Sequence, residues 1–174
     1  MKQKVKKWIS KFRKPEIERL RERGVEIGEN VNIYGGTIDY LHGHLVKIGD
    51  NVTISHATIL AHDASTKMYL GYSKIAKVLI GDNVFIGYGS IILPGVIIGN
   101  DVIIGAGSVV RNSIPDNSVV CGNPAVIICK TDEYIKKNRE RLGQGLIFDT
   151  SNGKESEKQR IRDMLELGKI GYDI

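Results

Sequence analysis

The sequence predicts a parallel β-helix, an all-β coil built on a six-residue repeat, with short helices at the N-terminal and C-terminal ends. Three observations carry this. From Val78 onward the chain divides into sixes (VLIGDN, VFIGYG, SIILPG, VIIGND, VIIGAG, SVVRNS), so that Ile80, Ile86, Ile92, Ile98, Ile104 and Val110 fall in one column. Gly81, Gly87, Gly99 and Gly105 follow their anchors, and a second column two places earlier reads Val78, Val84, Ser90, Val96, Val102 and Ser108. The same frame appears upstream in Ile27 and Ile33, then in Ile48, Ile54 and Leu60, with IGENVN and IGDNVT as its signatures.

A period of six has a direct physical reading. A short strand turns its β-branched anchor inward, and a turn rich in Gly, Asn and Asp changes direction before the next anchor. Three such sides close one coil of about 18 residues, which stacks Ile80 over Ile98, Ile86 over Ile104 and Ile92 over Val110. An amphipathic helix would space its anchors by three and four, and ordinary strands would alternate in twos. Aromatics at 6% and 20 glycines agree with an aliphatic core and many tight turns. Two interruptions are expected, at about residues 37–47 and 64–77.

The organisation in order is a basic helical segment over 1–24, the coil over 25–130 with its insertion, and a helical extension over 131–174. In the first segment Val5, Trp8, Ile9 and Phe12 form one helical stripe, and Pro15 opens a second short helix carrying Ile17 and Leu20. That segment either caps the open end of the stack or touches a membrane surface through residues 1–23. Its net charge is +7, against +5 for the whole chain, so the body is slightly acidic and offers no nucleic-acid face. Cys121 and Cys129 are too few and too far apart for a metal knuckle or a disulfide framework, which suits a reduced, cytoplasmic setting. No apolar run reaches the roughly 20 residues of a membrane span, and the first residues lack the apolar centre of a signal peptide. Helices are expected over Thr131–Leu142 and Lys154–Leu167, joined by a polar connection at 143–153.

The block from Ile80 to Ile128, closing on GNPA at Gly122 to Ala125, resembles the hexapeptide-repeat acyltransferases, in the branch of galactoside, maltose and capsular-sugar O-acetyltransferases. The resemblance covers about residues 25–130. It implies a left-handed coil, a homotrimer with active sites at subunit boundaries, acetyl-CoA as co-substrate and a sugar or glycan hydroxyl as acceptor. No metal is expected.

Acetyl transfer from a thioester to a hydroxyl needs a base, donors for the oxyanion and a slot for the acyl donor. Histidine is the default base, and the chain has four: His42, His44, His56 and His62. His62, in TILAHDAST, stands where the coil gives way to the second insertion, 26 residues before Tyr88. The resemblance puts the catalytic histidine at that place. Asp63 follows it and could orient it, but only if the chain turns there, because successive residues of an extended chain face opposite ways; a backbone carbonyl or another subunit's carboxylate would serve equally well. His56 lies one side of the coil earlier and suits a structural or interface role. His42 and His44, in YLHGHLV, could line an acceptor pocket from a neighbouring subunit or be plain loop.

For the acyl donor, the resemblance points to Tyr88, Gly89 and, one coil later, Ala106, flanked by Gly105 and Gly107. Glycine and alanine are also what tight coils require. Relatives commonly carry Thr-Lys where this chain has Arg111-Asn112, and basic residues at Val126 and Cys129. Arg111 and Lys130 are the nearest partners for the phosphates of CoA. Three other functions fit the same repeat. One is an N-acetyltransferase of an amino-sugar nucleotide, and another is a non-catalytic scaffold or binding module. The third, a zinc hydratase, would need three converging histidines, and none follows His62.

Overall fold

The computed structural model describes residues 15–143, 145–151, 153–165 and 170–173. The stripe of Val5, Trp8, Ile9 and Phe12 lies outside them. Two compact units divide at Thr131/Asp132.

The first unit is a coil of parallel strands whose anchors stack in three columns. On the first side Ile27 pairs with Ile48, Ile48 with Ile80, and Ile80 with Ile98, and Ile114 bridges to Ile98. The second side aligns Ile33, Ile54, Ile86, Ile104 and Val120. The third aligns Ile38, Ile59, Ile92 and Val110. The three expected stacking pairs therefore hold. Ile48, Ile54, Ile59, Ile86, Ile92, Ile98 and Ile104 are all fully buried. In the second inward column Ser90 and Ser108 replace valine without leaving an orphaned hydroxyl, because both donate to the carbonyl of Gly105.

One anchor differs from the sequence expectation. Ile59, not Leu60, is the buried residue of its column. In the first two coils the second and third sides run on as single strands, Asn32–Ile38 and Thr53–Ile59, through a corner one residue shorter than the later ones. Unusual backbone permits this: Gly35 and Gly36 have φ of +73° and +98°, and His56 has +45°. The step from anchor to anchor is five there, so a strict count of six lands on the wrong residue. It also hides Ile38, which the sequence assigned to the first interruption.

The corner after each first side is built differently. Asn30, Asn51, Asn83, Asp101 and Asn117 all take φ near +55°, a conformation Asn and Asp tolerate better than most side chains. Beside them a ladder of side chains caps the turns: Asp50 Oδ1 accepts from Glu29 N, Asp82 from Asp50 N, Asn100 from Asp82 N and Asp116 from Asn100 N, at 2.7–2.8 Å. Gly81 admits no side chain, since a Cβ would sit 2.8 Å from the Gly99 backbone.

The stack is capped at its N-terminal end. A helix over Glu16–Glu22 follows Pro15 and buries Leu20 in the core cluster. Its neighbour Arg21 donates to the carbonyls of Ile27 and Gly28. At the far end Val126–Cys129 folds back antiparallel on Ser118–Cys121, and both cysteines are free.

In the second unit the helices span Thr131–Leu142 and Glu155–Met164. The expected polar connection contains a strand, Leu146–Phe148, paired in parallel with Gly171–Asp173, and Phe148 is buried. "All-β" thus describes the coil and not the whole chain. Among the described residues no helix is long and apolar enough to cross a membrane.

Ile86→Ala tests the stacked core. Ile86 is fully buried between Ile54 and Ile104, so truncation removes contacts on two coils and leaves a cavity. A loss of about 2–5 kcal/mol is expected, read from the urea midpoint. Phe85→Ala, at a half-exposed position of the same strand, should cost clearly less.

Candidate active site

The corner between the third side of one coil and the first side of the next carries the polar cluster of interest. In the first coil it holds the Asp39–Leu45 loop, including a 3-10 turn over Gly43–Leu45. In the second it holds Leu60, Ala61 and His62, then the insertion. His62 and Asp63 pair antiparallel with Ile75 and Lys74, which closes the neck of that insertion. A short helix, Lys67–Leu70, forms within it.

Asp39 is the centre of this corner. It directly follows the anchor Ile38, and its backbone N–H donates to the Ile59 carbonyl at 2.9 Å. Its carboxylate is buried and fully engaged. Oδ1 accepts from the N–H groups of Leu41 (3.1 Å) and His42 (2.9 Å), while Oδ2 accepts from Ala61 N (2.9 Å) and meets His62 Nδ1 at 2.5 Å. Burial pushes the carboxyl up, but the hydrogen bonds from His62, His42 N and Ala61 N outweigh it and hold Asp39 at about 2, below its ordinary 3.8. The ionised carboxylate therefore faces Nδ1 and selects the His62 tautomer protonated there. In the neutral imidazole this leaves the lone pair on Nε2, on a side chain that is 31% exposed.

The two histidines of the first interruption lie beside His62 of the same chain. The His42 ring lies 5.1 Å from that of His62, and the His44 ring 6.0 Å from His42. His42 Nδ1 is 3.6 Å from Asp39 Oδ1, too far for a hydrogen bond. Asp39, His42 and His62 offer ligand atoms within 4.8 Å of one another, close enough to suggest a cation site. A shared metal, however, would hold its ligand atoms about 3 Å or more apart. The 2.5 Å contact between Asp39 and His62 is that of a hydrogen bond instead.

Asp63 does not orient His62. Its carboxylate turns to Ser65 N (2.8 Å) and Lys74 Nζ (3.1 Å), and the backbone and hydroxyl of Ser65 with Lys74 hold it at about 2. The alternation of an extended chain sends it away from the imidazole, and it closes the insertion neck. Asp39, which the sequence reading missed, takes that place. A signal was present: GGTID aligned on HATIL puts Asp39 level with Leu60, two residues from His62.

The residues expected to meet the acyl donor sit elsewhere. Tyr88 and Gly89 form the corner between the second and third sides, with Ala106 on the next coil, and Gly107 N donates to the Tyr88 carbonyl at 2.8 Å. Gly89 and Gly107, both at φ +69°, have nothing among the described residues within 4 Å of where a Cβ would stand, so this edge is open. Tyr88 stacks on His56 with ring centroids 5.0 Å apart, and His56 in turn covers Gly35. Arg111 follows Val110 and occupies the corner type that carries His62, further along the stack. Lys130 precedes Thr131, whose N–H and hydroxyl bond Asn117 and Asp101 at the remaining corner. One chain thus unites His62 with Asp39, His42 and His44, and keeps Tyr88, Gly89 and Ala106 together on a different edge. The two basic residues join neither group.

Comparison with known proteins follows this geometry. Residues 77–112 match the family described as bacterial transferase hexapeptide (six repeats). CapG of Staphylococcus aureus is 40% identical over 146 residues, which cover 76% of this chain and 83% of CapG. A solved galactoside acetyltransferase in complex with coenzyme A superposes with a TM-score of 0.52 at 33% identity, over 65% of this chain and 58% of that one. The hexapeptide-repeat acetyltransferase VCA0836 of Vibrio cholerae, complexed with acetyl coenzyme A, gives 0.51 at 27% identity, over 62% and 61%. Both solved chains extend well beyond the part matched. Similarity over most of CapG, on a coil whose repeats are visible residue by residue, establishes that the chain belongs to the hexapeptide-repeat acyltransferase family.

Proposed function

We propose that the chain is an acetyl-CoA-dependent O-acetyltransferase that acetylates a hydroxyl of a sugar or polysaccharide precursor, with His62 as general base. The observation that carries this reading is the Asp39–His62 hydrogen bond, which leaves Nε2 as a proton acceptor on an accessible side chain. In the reaction Nε2 takes the proton of the acceptor hydroxyl as its oxygen attacks the thioester carbonyl. Asp39 holds the imidazole in orientation and stabilises the imidazolium that forms. The C–S bond then breaks, His62 returns the proton to the departing sulfur, and the products are an acetyl ester and CoA. A backbone N–H at the Tyr88–Gly89 edge serves the oxyanion.

The separation of the base from the open glycine edge supports a homotrimer. The two lie on different corners of the stack, so a complete site needs the base of one subunit beside the edge of its neighbour. The relatives named for galactoside acetylation and for complexes with coenzyme A support the donor and the acceptor class. Acetyl-CoA turnover across a panel of sugars, sugar nucleotides and oligosaccharides tests this reading, followed as free thiol. Acceptor-dependent CoA release is expected. A chain that neither turns over acetyl-CoA nor gains thermal stability from it would be a scaffold instead.

A further inference from the structure

The loop that aims Asp39 is gripped from outside the coil. Arg23 stands at the C-terminal end of the Glu16–Glu22 helix, and its Nη2 donates to the carbonyls of both Ile38 (2.8 Å) and Asp39 (2.7 Å). The guanidinium lies under the Tyr40 ring, 4.5 Å from its centroid. Its Nε is buried with no hydrogen-bond partner among the described residues. The neighbouring backbones interlock. Gly24, at φ +86°, has no room for a Cβ, which would fall 2.9 Å from the His44 Cβ, and a Cβ on Gly43 would fall 3.0 Å from the Arg23 carbonyl oxygen.

We propose that Arg23 is a positioning residue for the Asp39–His62 pair, joining the N-terminal cap to the site. Arg23 fixes the Asp39 carbonyl and Ile59 fixes its N–H, so the backbone is held on both sides of the carboxylate. What remains for the side chain is to meet its four donors. Without Arg23 the loop from Asp39 to His44 loses its outer support. The Oδ2 contact then loosens and His62 is no longer held to one tautomer. The kinetic part of this inference rests on the base assignment above, whereas the spectroscopic part does not.

The test is the 15N spectrum of the imidazoles in the full chain without substrate, with the His62 signals assigned by His62→Gln. In the parent protein His62 should carry its proton on Nδ1. In Arg23→Met the signals should report a mixture of tautomers, and kcat/KM should fall about 10- to 100-fold with the KM for acetyl-CoA little changed. Arg23→Lys keeps a donor but loses the planar group over Tyr40, and should fall between the two. A folded Arg23→Met with an unchanged His62 tautomer overturns the proposal. If that variant does not fold, Arg23→Lys decides by the same criterion. Full activity in His62→Ala would instead overturn the base assignment and leave the spectroscopic result standing.

Discussion

Alanine in place of His62 is expected to lower kcat/KM for acceptor-dependent CoA release by about two to four orders of magnitude. The imidazole stands at the edge of the coil, 31% exposed beyond its bond to Asp39, and it is not part of the hydrophobic core cluster. Thermal stability should therefore change far less than activity. The other three histidines cannot replace it. The His42 imidazole lacks a hydrogen bond to Asp39, His44 is one ring further away, and His56 occupies another corner. Wild-type turnover in His62→Ala would move the reaction to a different group.

Asp39→Asn is expected to lose activity on a similar scale, and stability besides. The carboxylate accepts four hydrogen bonds and donates none. An amide places an NH2 where one oxygen was. In the orientation that keeps the bonds from Leu41 and His42, that NH2 faces the Ala61 N–H, donor against donor. His62 can then approach only as an acceptor through Nδ1, which moves its proton to Nε2, the atom required as base. The flipped amide spares Ala61 and His62 and sacrifices the other two bonds. Either way a buried donor goes unsatisfied, at about 1–3 kcal/mol, measurable as a lower urea midpoint. The pH dependence adds a second check. Asp39 is held at about 2 in the folded chain against an ordinary 3.8. It therefore contributes stability that is present above pH 3.8 and lost as pH falls towards 2. Asp39→Asn should lack that contribution. Unchanged activity in this variant would remove Asp39 from the mechanism.

The two halves of the candidate site differ in how far the sequence revealed them. His62 was legible because the regular repeat stops beside it, and a break in a strict period is visible in one dimension. Asp39 was not, because a count of six leaves Ile38 inside the first interruption. The five-residue step from Ile33 to Ile38 depends on the left-handed backbone of Gly35 and Gly36, which a letter pattern does not display. The same step explains the slip from Ile59 to Leu60. Adjacency is all that recommends Asp63 in the sequence, yet neighbours along an extended chain diverge, and its carboxylate goes to Ser65 and Lys74. The Leu146–Phe148 strand was missed for another reason. Three apolar residues make a strand only when a partner exists, and the partner is Gly171–Asp173.

The sequence by itself determined the coil, its stacked anchors and the place where its regularity fails, because those follow from local geometry repeated every six residues. Only the tertiary structure decided which carboxylate meets His62, that Arg23 reaches the carbonyl behind it, and that the open glycine edge lies on a different corner. Each of these joins residues brought together by the winding of the coil, and the winding turns on corners of five residues or six. A change of one residue there rotates everything that follows by one position, so contacts between coils are set by backbone conformation that composition and period do not carry.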